Sequence, residues 1–158
     1  SFRDQVEIFV DHIEDGLLSS NPDNTLEEIS TAYADSFFVY PPKAHQNSGA
    51  VLREVKGLGY SMGLISNTEM TPGTTFRVFL EQLGLMRYFD AAVFSDEVKL
   101  AKPGKEIFLL AITALNAVPE ETVHVGDHLL NDVVGAQKAG MRAIWVETHD
   151  ERRAPVDV

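Results

Sequence analysis

Four short apolar runs, at Tyr60 to Ile65, Ala91 to Phe94, Val123 to Val125 and Ala143 to Val146, alternate with segments whose apolar residues recur three and four positions apart. This rhythm constrains the fold more than any other feature of the sequence. Short strands joined through helices pair in parallel, and a parallel sheet is stable only when helices cover it. The chain is therefore expected to be α/β, a Rossmann-like open parallel sheet with helices on both faces. Helices are read from Ser48 to Gly57, through Phe76, Phe79, Leu80 and Leu83 after a Pro72-Gly73 turn and ahead of Gly84, and from Pro103, at the first helical position, to about Asn116.

The residues ahead of this part follow a different pattern. Val6, Phe9, Val10, Ile13 and Leu17 keep helical spacing behind a capping box of Asp4 and Glu7. After a turn at Asn21 to Asn24, Thr25 and Glu28 make a second box, and Leu26, Ile29, Ala32, Tyr33 and Phe37 line one face of a second helix. His12 reads as a helix-surface histidine, since no second ligand stands at a metal-binding spacing. The run Phe37 to Tyr40 is expected to be a helix end or a short buried strand, stopped by Pro41 and Pro42. The change of pattern places a domain boundary near Pro42.

Composition removes several function classes. The chain has 158 residues with 24 acidic against 13 basic, a net charge of -11, and it lacks the basic face that nucleic acid or an anionic membrane requires. It has no cysteine, hence no disulfide framework and no thiolate metal site. No apolar run is long enough to span a bilayer and Ser1 opens no signal-peptide pattern, so a soluble, cytoplasmic protein is expected.

The stretch from His124 to Gly140, HVGDHLLNDVVGAQKAG, carries the chemistry. A strand breaks at Gly126, and Asp127 and Asp132 flank a short loop entering a helix that Gly140 closes. Taken alone, these carboxylates read as a turn residue and an N-cap. Two distant stretches supply complementary groups at the same carboxyl edge, where ligands of open α/β sheets bind. Ser66, Asn67 and Thr68 offer hydroxyl, amide and backbone donors, and Lys102 offers a positive charge. Phosphoryl transfer needs donors and cations around a transition state whose negative charge spreads over the equatorial oxygens. Magnesium takes oxygen ligands from one or two carboxylates and the phosphate. Two glycine-bearing strings are set aside: Gly57, Gly59 and Gly63 precede a strand where a dinucleotide loop must follow one, and Lys102 to Lys105 lacks the spacing of a P-loop.

Through GYSMGLISNT, YFDAAVFSDEVKLAKPGKEIF and VHVGDHLLNDVVGAQKAGM, roughly Pro41 to Glu147, the chain resembles the haloacid dehalogenase-like hydrolase superfamily, in its phosphatase-type members with a helical cap. The resemblance implies that Ser66 binds the transferring phosphoryl group with help from the Asn67 amide. It implies that Lys102 orients the nucleophile and stabilises charge, that Asp127 ligates magnesium, and that Asp132 supports that site from the second shell or through water. Thr68 belongs to the same phosphate-binding loop. On this likeness residues 1–41 are a partial cap, 42–149 the Rossmann-like core and 150–158 a tail.

One departure outweighs these matches. The family carries near its N-terminus a strand ending in Asp-x-Asp, the covalent nucleophile and the general acid and base. None of the eleven Asp residues here is followed two positions later by another. Asp35 and Asp90 each precede an apolar run and would stand at the wrong end of a parallel strand. The resemblance thus implies an N-terminally truncated member that lacks its first strand, a phosphatase of small phosphorylated metabolites without turnover as it stands, with weak or absent magnesium binding. The alternative is a non-catalytic protein that keeps the fold to bind a phosphorylated ligand or a partner chain. A haloacid dehalogenase is a lesser alternative, since those enzymes need no metal. The missing strand would lie between the strands at Tyr60 to Ile65 and Val123 to Val125. Three repairs are open: direct pairing of those two, insertion of Phe37 to Tyr40, or a segment from a second copy, the last making a homodimer the expectation.

Overall fold

A computed structural model describes residues 2–13, 22–68 and 70–147. The expected end of the first helix at Leu17, the turn residue Asn21 and the 150–158 tail lie outside the described residues. Among the described residues no helix is long and apolar enough to cross a membrane.

The chain opens with two helices, α1 (Phe2–Ile13) and α2 (Pro22–Ser36). Both begin earlier than their sequence boxes suggest, so Asp4 and Thr25 lie inside the helices rather than capping them. Pro22 to Asn24 is helical and not a turn; proline is favourable in a first helical turn because it has no N–H to leave unpaired. Val6 and Val10, one turn apart, are buried with Leu26, and Ile29 and Met70 pack against them. Phe9 and Ile13, expected on the same face, are exposed and lie outside the contact that Val6 and Val10 make.

The run Phe37 to Tyr40 forms turns, which excludes its insertion as a strand. The Phe37 ring instead packs edge-on against Phe76 and Phe79, with centroids 5.3 Å away in each case. Tyr40 is exposed.

Next come α3 (Ser48–Gly57), β1 (Gly63–Ser66), α4 (Gly73–Gln82), β2 (Ala91–Phe94) and a short α5 (Ser95–Val98). They are followed by α6 (Lys105–Ala114), β3 (Val123–Gly126), a π-helical turn (Leu129–Val134) running into α7 (Gly135–Lys138), and β4 (Arg142–Trp145). Several limits moved from their sequence positions: β4 lies one residue earlier than Ala143 to Val146, and β1 and β3 each end one residue later than expected. Tyr60 precedes β1 and is exposed, and α6 starts after Gly104, leaving Pro103 in the preceding turn.

The α/β architecture is the expected one, with every strand pair parallel, but the sheet is in two parts. β1 pairs with β2, Ile65 opposite Val93, and β3 pairs with β4, Val125 opposite Ile144. Among the described residues neither β1 nor β3 has a second strand beside it, so direct pairing of the two does not occur. The two halves are joined through α6. Its Ile107, Phe108, Ala111 and Ile112 are buried against Val93, Ala136, Ala139 and Met141, with Ile65 and Ala143 packed alongside. Phe108 also meets the His124 ring edge-on at 5.0 Å. Burying a side chain such as Phe108 is worth about 1.5 to 3 kcal/mol, so this helix is the main tie between the halves.

Side-chain alternation decides what covers each half. Phe94 points away from α6 and stacks on Phe76 of α4, so β1 and β2 have helices on both faces. On β3 and β4, His124 and Ala143 face α6, whereas Val123, Val125 and Ile144 on the opposite face are exposed.

Candidate functional site

β1, β2 and β3 each end beside a loop that carries polar side chains, and hydrogen bonds tie these loops together. After Ser66, the last residue of β1, the Asn67 side chain reads the backbone of Lys102 in both directions. Its Oδ1 accepts from the Lys102 N–H and its Nδ2 donates to the Lys102 carbonyl, each at 2.9 Å. A paired amide of this kind fixes the loop after β1 against the loop before α6, and the stem of Lys102 is thereby aimed.

The Lys102 ammonium then meets Asp132 Oδ1 at 2.6 Å. His124 Nε2 stands 3.1 Å from the same oxygen, and the His128 backbone N–H donates to Oδ2 at 2.9 Å. The three side chains Lys102, His124 and Asp132 are only 13%, 12% and 5% exposed. Burial alone would raise the Asp132 pKa, yet the donors from Lys102, His128 and His124 outweigh it and hold the carboxyl down at about 2. Burial pushes the His124 imidazole below its ordinary value against the pull of Asp132, and the Lys102 charge adds to the lowering.

Asp132 is therefore neither a loop residue nor an N-cap. It lies inside the π-helical turn, whose N-cap is His128; the His128 Nδ1 accepts from the Asn131 N–H at 3.2 Å. The wider π turn carries the carboxylate back under Gly126, where a Cβ would overlap the Asp132 carboxyl group. Glycine at 126 is needed for this close approach rather than for a left-handed backbone.

The remaining candidates separate. Thr68 is buried and its polar groups are taken up: its N–H donates to Ser95 Oγ at 3.0 Å and its hydroxyl to Asp96 Oδ1 at 2.8 Å. Asp96 in turn accepts from the Gly73 N–H at the start of α4. The Pro72-Gly73 pair is thus a helix start, and glycine is required there because a Cβ would strike Phe94. Ser66 is half-buried, and its hydroxyl makes no hydrogen bond among the described residues. Asp127 is exposed; its carbonyl accepts from Trp145 Nε1 at 2.9 Å, while its carboxylate is left without a hydrogen bond among the described residues. Asp90 stands at the amino end of β2, bonded to Lys56 at 2.6 Å and to the Met62 N–H, far along the strand from this site.

The structure thus links Asn67, Lys102 and Asp132 through bonded contacts, places Ser66 at the end of β1 and Asp127 directly after β3, and gives Thr68 a framework position. His124 was read from the sequence only as a buried strand residue. Its polar side chain in an otherwise apolar strand was the available signal.

Among the described residues, no three His, Asp or Glu side chains come together in a group that could hold a metal. Asp132 faces protein donors on both oxygens, which leaves Asp127 as the one carboxylate of the pair open to a cation. The residues present do not amount to a magnesium site of their own.

The model of the haloacid dehalogenase-like hydrolase family matches residues 7–146. The chain belongs to this family. Glyceraldehyde 3-phosphate phosphatase of Methanothermobacter thermautotrophicus is 38% identical over 104 residues, which cover 65% of this chain and 44% of that protein. Phosphoserine phosphatase of Thermus thermophilus is 35% identical over 118 residues, 72% of this chain and 45% of that one. The chain spans about half the length of the curated relatives it matches. Among solved structures, a HAD phosphatase from Thermococcus onnurineus superposes with a TM-score of 0.62 at 25% identity, covering 96% of this chain and 83% of the other. The haloacid dehalogenase-like resemblance read from the sequence is the one that these comparisons show, with phosphatases among the relatives.

Proposed function

We propose that this chain carries the phosphoryl-binding side of a phosphatase acting on small phosphorylated metabolites, and that as it stands it binds such a group without turning it over. The observation that carries the reading is the Asn67 clamp on Lys102. It fastens the backbone of Lys102, whose ammonium meets Asp132, to the loop that follows Ser66, and the Ser66 hydroxyl makes no hydrogen bond among the described residues. Lys102 supplies positive charge to the phosphoryl oxygens, Ser66 donates to one of them, and the Asn67 backbone closes the cradle. The covalent route needs a carboxylate nucleophile paired with an acid and base. This sequence has no Asp-x-Asp, Asp90 sits at the wrong strand end and Asp132 is locked to Lys102.

Magnesium belongs to the proposal in a restricted form. Asp127 is the residue that would meet it, and a small hard cation with one protein carboxylate keeps most of its water, so binding is weak.

Calorimetric titration with inorganic phosphate tests the cradle: saturable binding is expected, weakened in Ser66→Ala and Lys102→Met. Wild-type binding no stronger than in the Lys102→Met protein overturns the phosphoryl site. Magnesium-dependent hydrolysis of p-nitrophenyl phosphate by a rigorously purified sample, abolished by Asp127→Ala, overturns the absence of turnover.

A further inference from the structure

We propose that His124 is a positioning residue for Lys102, acting through Asp132, with which it shares an oxygen. The inference rests on the reading of Lys102 as a phosphoryl-binding group, and its geometry stands apart from that reading. Asp132 Oδ1 receives two groups, Lys102 Nζ at 2.6 Å and His124 Nε2 at 3.1 Å, while Oδ2 receives the His128 N–H. An ionised carboxylate accepts and does not donate, so the proton on the imidazole sits on Nε2 and that nitrogen is the donor. The tautomer is thereby assigned by the partner.

Position matters as much as proton. His124 is on β3 with its ring held edge-on by Phe108 of α6, while Asp132 is on the π-helical turn and Lys102 on the loop before α6. The imidazole thus connects the carboxylate to a rigid strand. Without it, Asp132 would be fixed only by its own turn and by the mobile end of a lysine. A lysine stem has four rotatable carbons, so the direction of its ammonium depends on how firmly its acceptor is held. His124 reaches no ligand in this arrangement; its influence passes through Asp132.

The test uses the whole chain and needs no turnover. Long-range nitrogen–proton NMR of the wild-type protein should show His124 neutral with the proton on Nε2; a proton on Nδ1 overturns the proposal without any variant. Competitive acetylation read by mass spectrometry then reports the reactivity of the Lys102 amine. In His124→Leu, Lys102 should label faster by about tenfold, the scale of losing one hydrogen bond to a charged group. In His124→Gln, which restores an N–H donor, labelling should return most of the way to wild type. Labelling of Lys102 that is unchanged in both variants overturns the proposal, as does equal acceleration in both accompanied only by a lower melting temperature. Should His124→Leu fail to fold, His124→Gln against His124→Met makes the same comparison. Phosphate affinity is measured in parallel: accelerated labelling with no phosphate binding in any protein, wild type included, upholds the positioning role and rejects the phosphoryl site.

Discussion

Replacing Asp132 by alanine tests the bonded centre of the site most directly. The carboxylate is 5% exposed and answers three donors: the Lys102 ammonium, the His124 imidazole and the His128 N–H. Its removal leaves a lysine that is only 13% exposed without its counter-charge. Breaking a buried pair from one side costs about 3 to 5 kcal/mol, because the surviving charge is left desolvated. Against a total stability of about 5 to 15 kcal/mol, this is enough to bring a domain near unfolding. The double change Asp132→Asn with Lys102→Met removes both charges at similar volume and should recover most of the loss. Urea unfolding followed by the fluorescence of Trp145, the single tryptophan, measures both proteins. The reasoning fails if Asp132→Ala costs no more than an exposed pair, about 1 kcal/mol or less, or if the double variant is no more stable than the single one.

Gly126→Ala should destabilise the fold and reduce phosphate binding together, because its Cβ would displace the Asp132 carboxyl from Lys102; wild-type values for both in the variant would contradict the close approach. Stability should fall on acidification in two stages. His124 has a folded pKa below 6.5, so its contribution is complete above that value and declines as pH falls. Asp132 is depressed from 3.8 to about 2, so its contribution is complete above pH 3.8 and is lost as pH falls through 2. Urea midpoints between pH 7 and pH 2 check this, with the lower stage absent in Asp132→Asn and a constant midpoint as the refuting result. Sedimentation at micromolar concentration should show association through a second copy, since among the described residues β1 and β3 each have one strand neighbour and Val123, Val125 and Ile144 are exposed. A compact monomer with cooperative unfolding would refute it.

The sequence by itself determined the class of fold and most element types from Ser48 onward. Alternating apolar runs and helical spacing are local properties, written in consecutive residues, and β2 and α3 stand at their expected limits. Asn67, Lys102 and Asp132 could also be named from the sequence, because their loops follow recognisable strand ends. Tertiary structure decided which of these polar groups remain available. Thr68 and Asp132 meet donors and acceptors from elements some 30 residues away, Ser95 and Asp96 in one case and Lys102 in the other, and no local pattern encodes those meetings. It also decided that Asp132 enters through a π-helical turn, since that turn depends on Gly126 lying directly beneath it. The division of the sheet was decided there too. Strand pairing is a contact between distant segments, and the helix face that joins both halves, that of α6, reads in the sequence as one more amphipathic helix.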